Sequence, residues 1–232
     1  MSISRNLPNG ESSCKYRGLL IPLCCGAVVG LFLLVLVIPV SREIFRMLSS
    51  GHPMIMGFVK FTLLATVGEL IAGRITLKCW SLPELFAARA VIWGILGAVL
   101  ALMLKLYSGG VAALLETGVL PGAESLFVKA AATSIFMNVT FGPVMMAFHK
   151  MTDKCLELQG SNAAGGRIKL PSLDDIVDAV DWKIFYSFIV LRTIPFFWFP
   201  AHTVTFMLPA EYQTIMAAFL SMALGIILSL RK

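Results

Sequence analysis

The sequence predicts an all-α polytopic membrane protein, a bundle of about six transmembrane helices. Three observations carry that expectation. Hydrophobic residues fill 58% of the 232 positions. Charged residues fill only 14%, against about 25% in soluble domains. The charges also gather at the ends of long apolar runs and in one polar segment, 150–181, which is how membrane spans and their loops are laid out. A net charge of +6 would suggest nucleic acid as a partner of a soluble chain. Here Lys and Arg lie where the positive-inside rule puts them, so the excess reads as topology and the expected partner is the lipid bilayer, with no nucleic acid.

Residues 1–17 are polar and read as a short disordered tail. The run 18–40, GLLIPLCCGAVVGLFLLVLVIPV, exceeds the ~20 residues needed to cross the hydrocarbon core and is the first span. Lys15 and Arg17 precede it as they would a secretory signal. Its apolar core is longer than the roughly 7 to 15 residues of a signal, and no A-x-A-like site closes it, so an uncleaved helix is expected. The remainder, 54–232, is the main bundle. His52-Pro53 marks a loop, and the second span covers 54–75. Thr62, Thr66, Glu69 and Gly73 recur at i, i+4, i+7 and i+11 and share one helix face. Lys60 projects roughly opposite and is expected to snorkel to an interface. Glu69 is harder to place, because a carboxylate in hydrocarbon requires a hydrogen-bonding partner, water or a proton. It either lines a polar pathway or pairs with an arginine inside the bundle.

The third span covers 86–107, where Ala90, Gly94 and Ala98 fall four apart with Gly97 and Ala101 beside them, a small-xxx-small seam along which another helix packs closely. Residues 108–124, with Gly109-Gly110 and Leu120-Pro121-Gly122, read as a loop. In the fourth span, 126–148, Ser134, Asn138, Met145 and His149 form one stripe, and Pro143 is an expected break. Asn138-Val139-Thr140 matches the glycosylation acceptor pattern but lies inside a span, which removes it from consideration. Within 150–181, the stretch 160–166 (GSNAAGG) reads as flexible linker and Ser172 as the cap of a short helix.

The last apolar stretch begins at Trp182 and is too long for one span; division near Leu208-Pro209 gives two. Arg192, Pro195, Phe199, His202 and Phe206 are spaced 3, 4, 3, 4, one stripe of a continuous helix from which Arg192 would face Glu69. Pro195, Pro200 and Pro209 are expected breaks. Five cysteines without CxxC or Cys/His spacing support neither a disulfide framework nor a zinc site, so reduced thiols, no metal and no cofactor are expected. Six spans divide the Lys and Arg residues unevenly. One side takes three in the N-terminal tail, three in the second loop, five in the fourth loop and two at the C-terminus; the other takes Arg42, Arg46, Lys105 and Lys129. Both termini are therefore expected to be cytoplasmic, in a bacterial inner membrane.

Several pieces resemble one family. Gly68-Glu69, Arg89 with Gly94, Pro143, Trp182, Phe199-Pro200, Phe206, Leu208-Pro209, Tyr212 and Leu228-Ser229 are similar to the pattern of the small peroxisomal and mitochondrial inner-membrane proteins founded on the twenty-two-kilodalton peroxisomal membrane protein. The likeness runs from about Phe61 to Ser229 and leaves the first span as an addition. Gln213 stands where that family has Arg, and Leu224 where it has Trp. The stretch Phe197 to Glu211 also resembles the ending of uncharacterised bacterial membrane proteins. The family resemblance implies a pore or metabolite-permeation role.

Three functional classes follow from the residues. A channel or transporter for a small solute or ion expects Glu69, Asn138, Arg192 and His202 to converge on a hydrated path, with His149 as a further buried polar candidate. An intramembrane enzyme expects a catalytic set, but Glu69 stands alone, Arg74 lies off its face, and no HExxH, GxSxG or P-loop spacing occurs. A scaffold, as a homo-oligomer or with other partners, needs only the small-residue seams. Permeation is the leading expectation.

Overall fold

The computed structural model describes residues 19–164 and 170–230. The N-terminal tail, the last two residues and the end of the expected linker lie outside the described residues. Eight helices follow in order: α1 (Leu20–Val37), α2 (Pro39–Gly51), α3 (Pro53–Leu77), α4 (Phe86–Glu116), α5 (Leu126–Ala164), α6 (Leu173–Ala179), α7 (Trp182–Met207) and α8 (Ala210–Ser229). Among the described residues there is no strand. Six helices (α1, α3, α4, α5, α7 and α8) are long and apolar enough to cross a membrane. The chain is an integral, multi-pass membrane protein.

Local chemistry sets most helix ends. Ile38 is extended because it precedes Pro39, and Pro39 then starts α2 with its fixed φ and missing N–H. His52 alone separates α2 from α3, so the expected loop there is a single residue. Helix α2 itself was not foreseen: it buries Phe45 and Ser49 and turns Arg42, Glu43 and Arg46 outward. Ser172 closes a capping box with Asp175, each satisfying the other's backbone N–H, and starts α6 as the sequence predicts.

Two expected loops are helical instead. Helix α4 runs on through Gly109-Gly110 to Glu116, and α5 passes Phe148 and continues to Ala164, taking in much of the segment expected as a polar loop. In α4 the helix accepts the entropic penalty of two glycines; in α5 the stretch 150–159 (KMTDKCLELQ) is rich in residues that favour a helix. Pro143 lies within α5 and Pro195 within the π-helical part of α7, so the chain stays helical at both; Pro200 stands in the first turn of the α-helical part Phe199–Met207, and Pro209, which precedes α8 after extended Leu208, separates two helices.

Five helices form a closed ring in the order α3, α4, α5, α7, α8, each packed on the next and α8 returning to α3, with α4 touching α8 across the middle. Helix α3 is the most enclosed. It carries Phe61, Leu64 and Ala65, which pack with Leu100 and Leu104 of α4, Met137 of α5 and Ala217 and Ala218 of α8. The α3–α4 seam is set by glycine. A Cβ on Gly97 would collide with the Gly57 carbonyl and Phe61, and one on Gly94 with Thr62 and Phe58. The seam thus runs along Gly94, Gly97 and Ala101, while the expected Ala90 and Ala98 are only half-buried beside it. On the other flank Gly68 lets the Met222 backbone of α8 approach. Helices α1 and α2 pack outside this ring, and α2 holds it through Arg46, whose guanidinium bonds Glu211 at the start of α8 at 2.9 Å.

Helix α7 departs from α geometry. Residues Phe185–Trp198 form a π-helix of 14 residues, whereas π turns are rare and usually single. The side-chain pattern follows the wider turn on both faces. Phe185 and Ile194 are both buried although nine residues apart, which is two and a half turns of an α-helix and would set them on opposite sides. Thr193 donates its hydroxyl to the Phe188 carbonyl, five residues back, at 3.1 Å. This wider turn cancels the stripe expected from α spacing: His202 and Phe206 are buried, and Arg192 is exposed.

Candidate functional site

The first polar centre forms where α3, α4 and α5 meet. Glu69 projects from α3 into two donors of α4 one turn apart: Arg89 Nη1 reaches Oε1 at 3.1 Å and Trp93 Nε1 reaches Oε2 at 3.2 Å. The same guanidinium nitrogen lies 3.5 Å from Asp153 Oδ1 of α5. His149, one turn before Asp153, approaches its other oxygen at 3.7 Å and sets its ring 4.3 Å from that of Trp93. One arginine between two carboxylates leaves a negative charge that His149, when protonated, is placed to offset. His149 Nδ1 is buried without a hydrogen-bond partner among the described residues.

This arrangement corrects the expected pairing of Glu69 with Arg192. The partner is Arg89, placed by its position at the start of α4, and the π-helix carries Arg192 to the outer surface. Arg89 and Trp93 on α4, with His149 and Asp153 on α5, are two i, i+4 pairs that face each other. In the sequence Arg89 stands out as a loop charge and as a piece of the family resemblance, not as the partner of Glu69.

A cleft of about 880 Å3 opens beside this centre, with Glu69 in its wall. Its sides come from α3 (Gly73, Thr76), α5 (Lys150, Lys154), α7 (Phe185, Phe188) and α8 (Gly225, Ser229). Gly73 and Gly225 face open space, since a Cβ on either would meet no atom within 4 Å. The mouth carries Lys150, Lys154, Glu157 and Asp181, with Lys154 bonded to Glu157 at 2.6 Å. The cleft therefore has an apolar body and a charged opening at the end of the bundle where the basic loops gather. At the opposite end lie an apolar groove of about 410 Å3 between α4 and α5, lined by Tyr107, Gly110, Leu114 and Phe136 among others, and a crevice of about 60 Å3 between α2, α4 and α8, lined by Ser49, Lys105, Glu211 and Gln213 among others.

A second polar centre lies between α5 and α7. The Asn138 amide contacts His202 Nδ1 through Nδ2 at 3.0 Å and Oδ1 at 3.1 Å, and Nδ2 also donates to the Ser134 carbonyl at 2.8 Å. Ser134 Oγ donates to the Phe199 carbonyl at 2.8 Å. The His202 ring stacks on Trp198 at 4.8 Å, and His202 Nε2 and Trp198 Nε1 are buried without partners among the described residues. The expected convergence of Glu69, Asn138, Arg192 and His202 on one path is therefore not what the fold builds. Asn138 and His149 are eleven residues apart, about 16 Å along α5, and they serve separate centres, Asn138 against His202 of α7 and His149 beside Trp93 of α4.

Lys60 is a third departure. It is 1% exposed and does not snorkel; Nζ donates to Ser49 Oγ at 2.8 Å and lies 4.3 Å from the centroid of the Phe45 ring. Helix α2 supplies both partners, which is why the ammonium tolerates burial. Cys79 is disulfide-bonded, against the expectation of reduced thiols throughout, while Cys24, Cys25 and Cys155 are free.

Compared with protein-family models, curated proteins and solved structures, the chain matches none. Among the described residues no group of three or more His, Cys, Asp or Glu side chains is placed to hold a metal ion.

Proposed function

We propose that this protein moves a small solute or ion across the membrane, with the 880 Å3 cleft as its binding chamber. The cleft carries the reading. It lies against four helices of a five-helix ring and opens at one end of the bundle with charged groups at its mouth, while the other end has a smaller, wholly apolar groove of about 410 Å3 and a crevice of about 60 Å3, an asymmetry that fits a transporter resting open to one side. Glu69 in its wall connects the cleft to the Glu69–Arg89–Asp153 network behind it, charge that an entering solute or ion can rearrange. The basic end is the proposed cytoplasmic face, in an inner membrane with both termini on that side. The family resemblance fits this proposal: Glu69 and Arg89, which carry part of it, are hydrogen-bonded to each other, and Glu69 lines the cleft.

The test is flux of a panel of small solutes and ions in liposomes, comparing the wild type with Gly73→Leu and Gly225→Phe, which fill the chamber from positions where nothing is displaced. Flux in the wild type that falls at least tenfold in both folded variants is the expected result. Absence of flux across the panel overturns the proposal and leaves the polar centres as packing devices of a scaffold.

A further inference from the structure

The outer face of α7 carries a polar track that the transport reading does not use. Lys183, Ser187 and Arg192 are all exposed, at spacings of four and five residues. On an α-helix, Lys183 and Arg192 would be two and a half turns apart and on opposite sides. The π-helix Phe185–Trp198 brings them onto one face, in the same register that buries Phe185 and Ile194 on the other. Neither Lys183 nor Arg192 makes an ion pair or a side-chain hydrogen bond with any described residue, whereas Lys60, Arg46 and Arg89 all find partners. Trp182 and exposed Tyr186 mark the membrane interface at the base of the track. Arg192, ten residues beyond Trp182, lies at most about 15 Å deeper. Exposed Leu191 and Phe196 flank it, so its surroundings are hydrocarbon. An unpaired arginine at that depth is strongly disfavoured unless an anion comes to it or it reaches the interface.

We propose that this track binds one anionic phospholipid, whose phosphate is drawn along α7 to Arg192 and Ser187 while Lys183 holds the headgroup at the interface. Charge selects an anion, and the position on the lipid-facing side of a membrane helix selects a lipid as its carrier. The π segment is then part of the site, because α geometry would keep Lys183 and Ser187 together but turn Arg192 away from them.

The experiment uses the full chain in nanodiscs and micelles, titrated with phosphatidylglycerol or phosphatidylcholine. Lipid retention is counted by native mass spectrometry and thermal unfolding is followed in parallel. The wild type should retain one phosphatidylglycerol at least tenfold more tightly than phosphatidylcholine and unfold at a higher temperature in its presence. Arg192→Gln should lose that preference, as should the milder Lys183→Gln, Ser187→Ala double variant, which keeps the buried face of α7 intact should Arg192→Gln fold poorly. Lys105→Gln, at the opposite end of the bundle, should keep it. Equal retention of the two lipids overturns the proposal. So does a preference that survives in the folded variants, or a Phe196→Cys variant that cross-links to a second copy of the chain through this face.

Discussion

Replacing Gly97 by alanine tests the central seam of the bundle. The added Cβ would fall against the Gly57 carbonyl and the Phe61 Cβ, both closer than any real contact. Neither neighbour can turn aside: one is backbone, the other is fixed to it, and Phe61 is 0% exposed. Helices α3 and α4 must therefore part by on the order of 1 Å, loosening Leu64, Leu100 and Leu104 around them. Overpacking of this kind costs about 1–3 kcal/mol, while alanine gains about 0.5–1 kcal/mol over glycine inside a helix. Gly73→Ala receives only the gain, because a Cβ there meets nothing within 4 Å. The propensity gain is common to both variants, so the difference between them isolates the clash at roughly 1–3 kcal/mol. Reversible unfolding in mixed detergent, followed by loss of helical circular dichroism, measures it. Gly97→Ala should be less stable than wild type and Gly73→Ala more stable. Equal stability of the two variants would mean that α3 and α4 do not approach through these glycines.

Two further outcomes follow from the polar centres. Glu69→Gln and Arg89→Gln should each lower stability by roughly 1.5–3 kcal/mol, the range for hydrogen bonds to charged groups. In a double-mutant cycle they should couple by at least about 0.5 kcal/mol, while Glu69→Gln and Arg192→Gln should add independently; coupling of Glu69 to Arg192 would contradict the pairing found here. Ser49→Ala strips the hydrogen bond from buried Lys60 and should cost about 1–3 kcal/mol. The same substitution in a Lys60→Met background should cost close to nothing, and an undiminished loss there would show that Ser49 acts through something other than the ammonium.

How far the sequence was legible varies along the chain. The capping box at Ser172 was readable because it is local: four residues contain the whole interaction. So was the break at Leu208-Pro209, where one ring removes a donor and fixes φ. Glu69 was recognised as needing a partner, and an arginine was the right chemical type. The choice between Arg89 and Arg192 was not readable, because it depends on which face each helix turns inward. At Arg192 that choice was altered by a π-helix, and the stripe drawn through Arg192 and His202 assumed 3.6 residues per turn. Lys60 was misplaced for a related reason, since its partners sit on α2, a helix too polar to stand out as a span.

What the sequence determined by itself is therefore the membrane class, the six spans and most of their ends. Hydrocarbon admits only long apolar segments whose backbones are satisfied internally, and that requirement is written residue by residue. The tertiary structure decided the pairing of charges, the order of helices around the ring, and the open cleft beside Glu69. These depend on where glycine lets backbones meet and on which face a π turn presents, and both are set by neighbours remote in the chain.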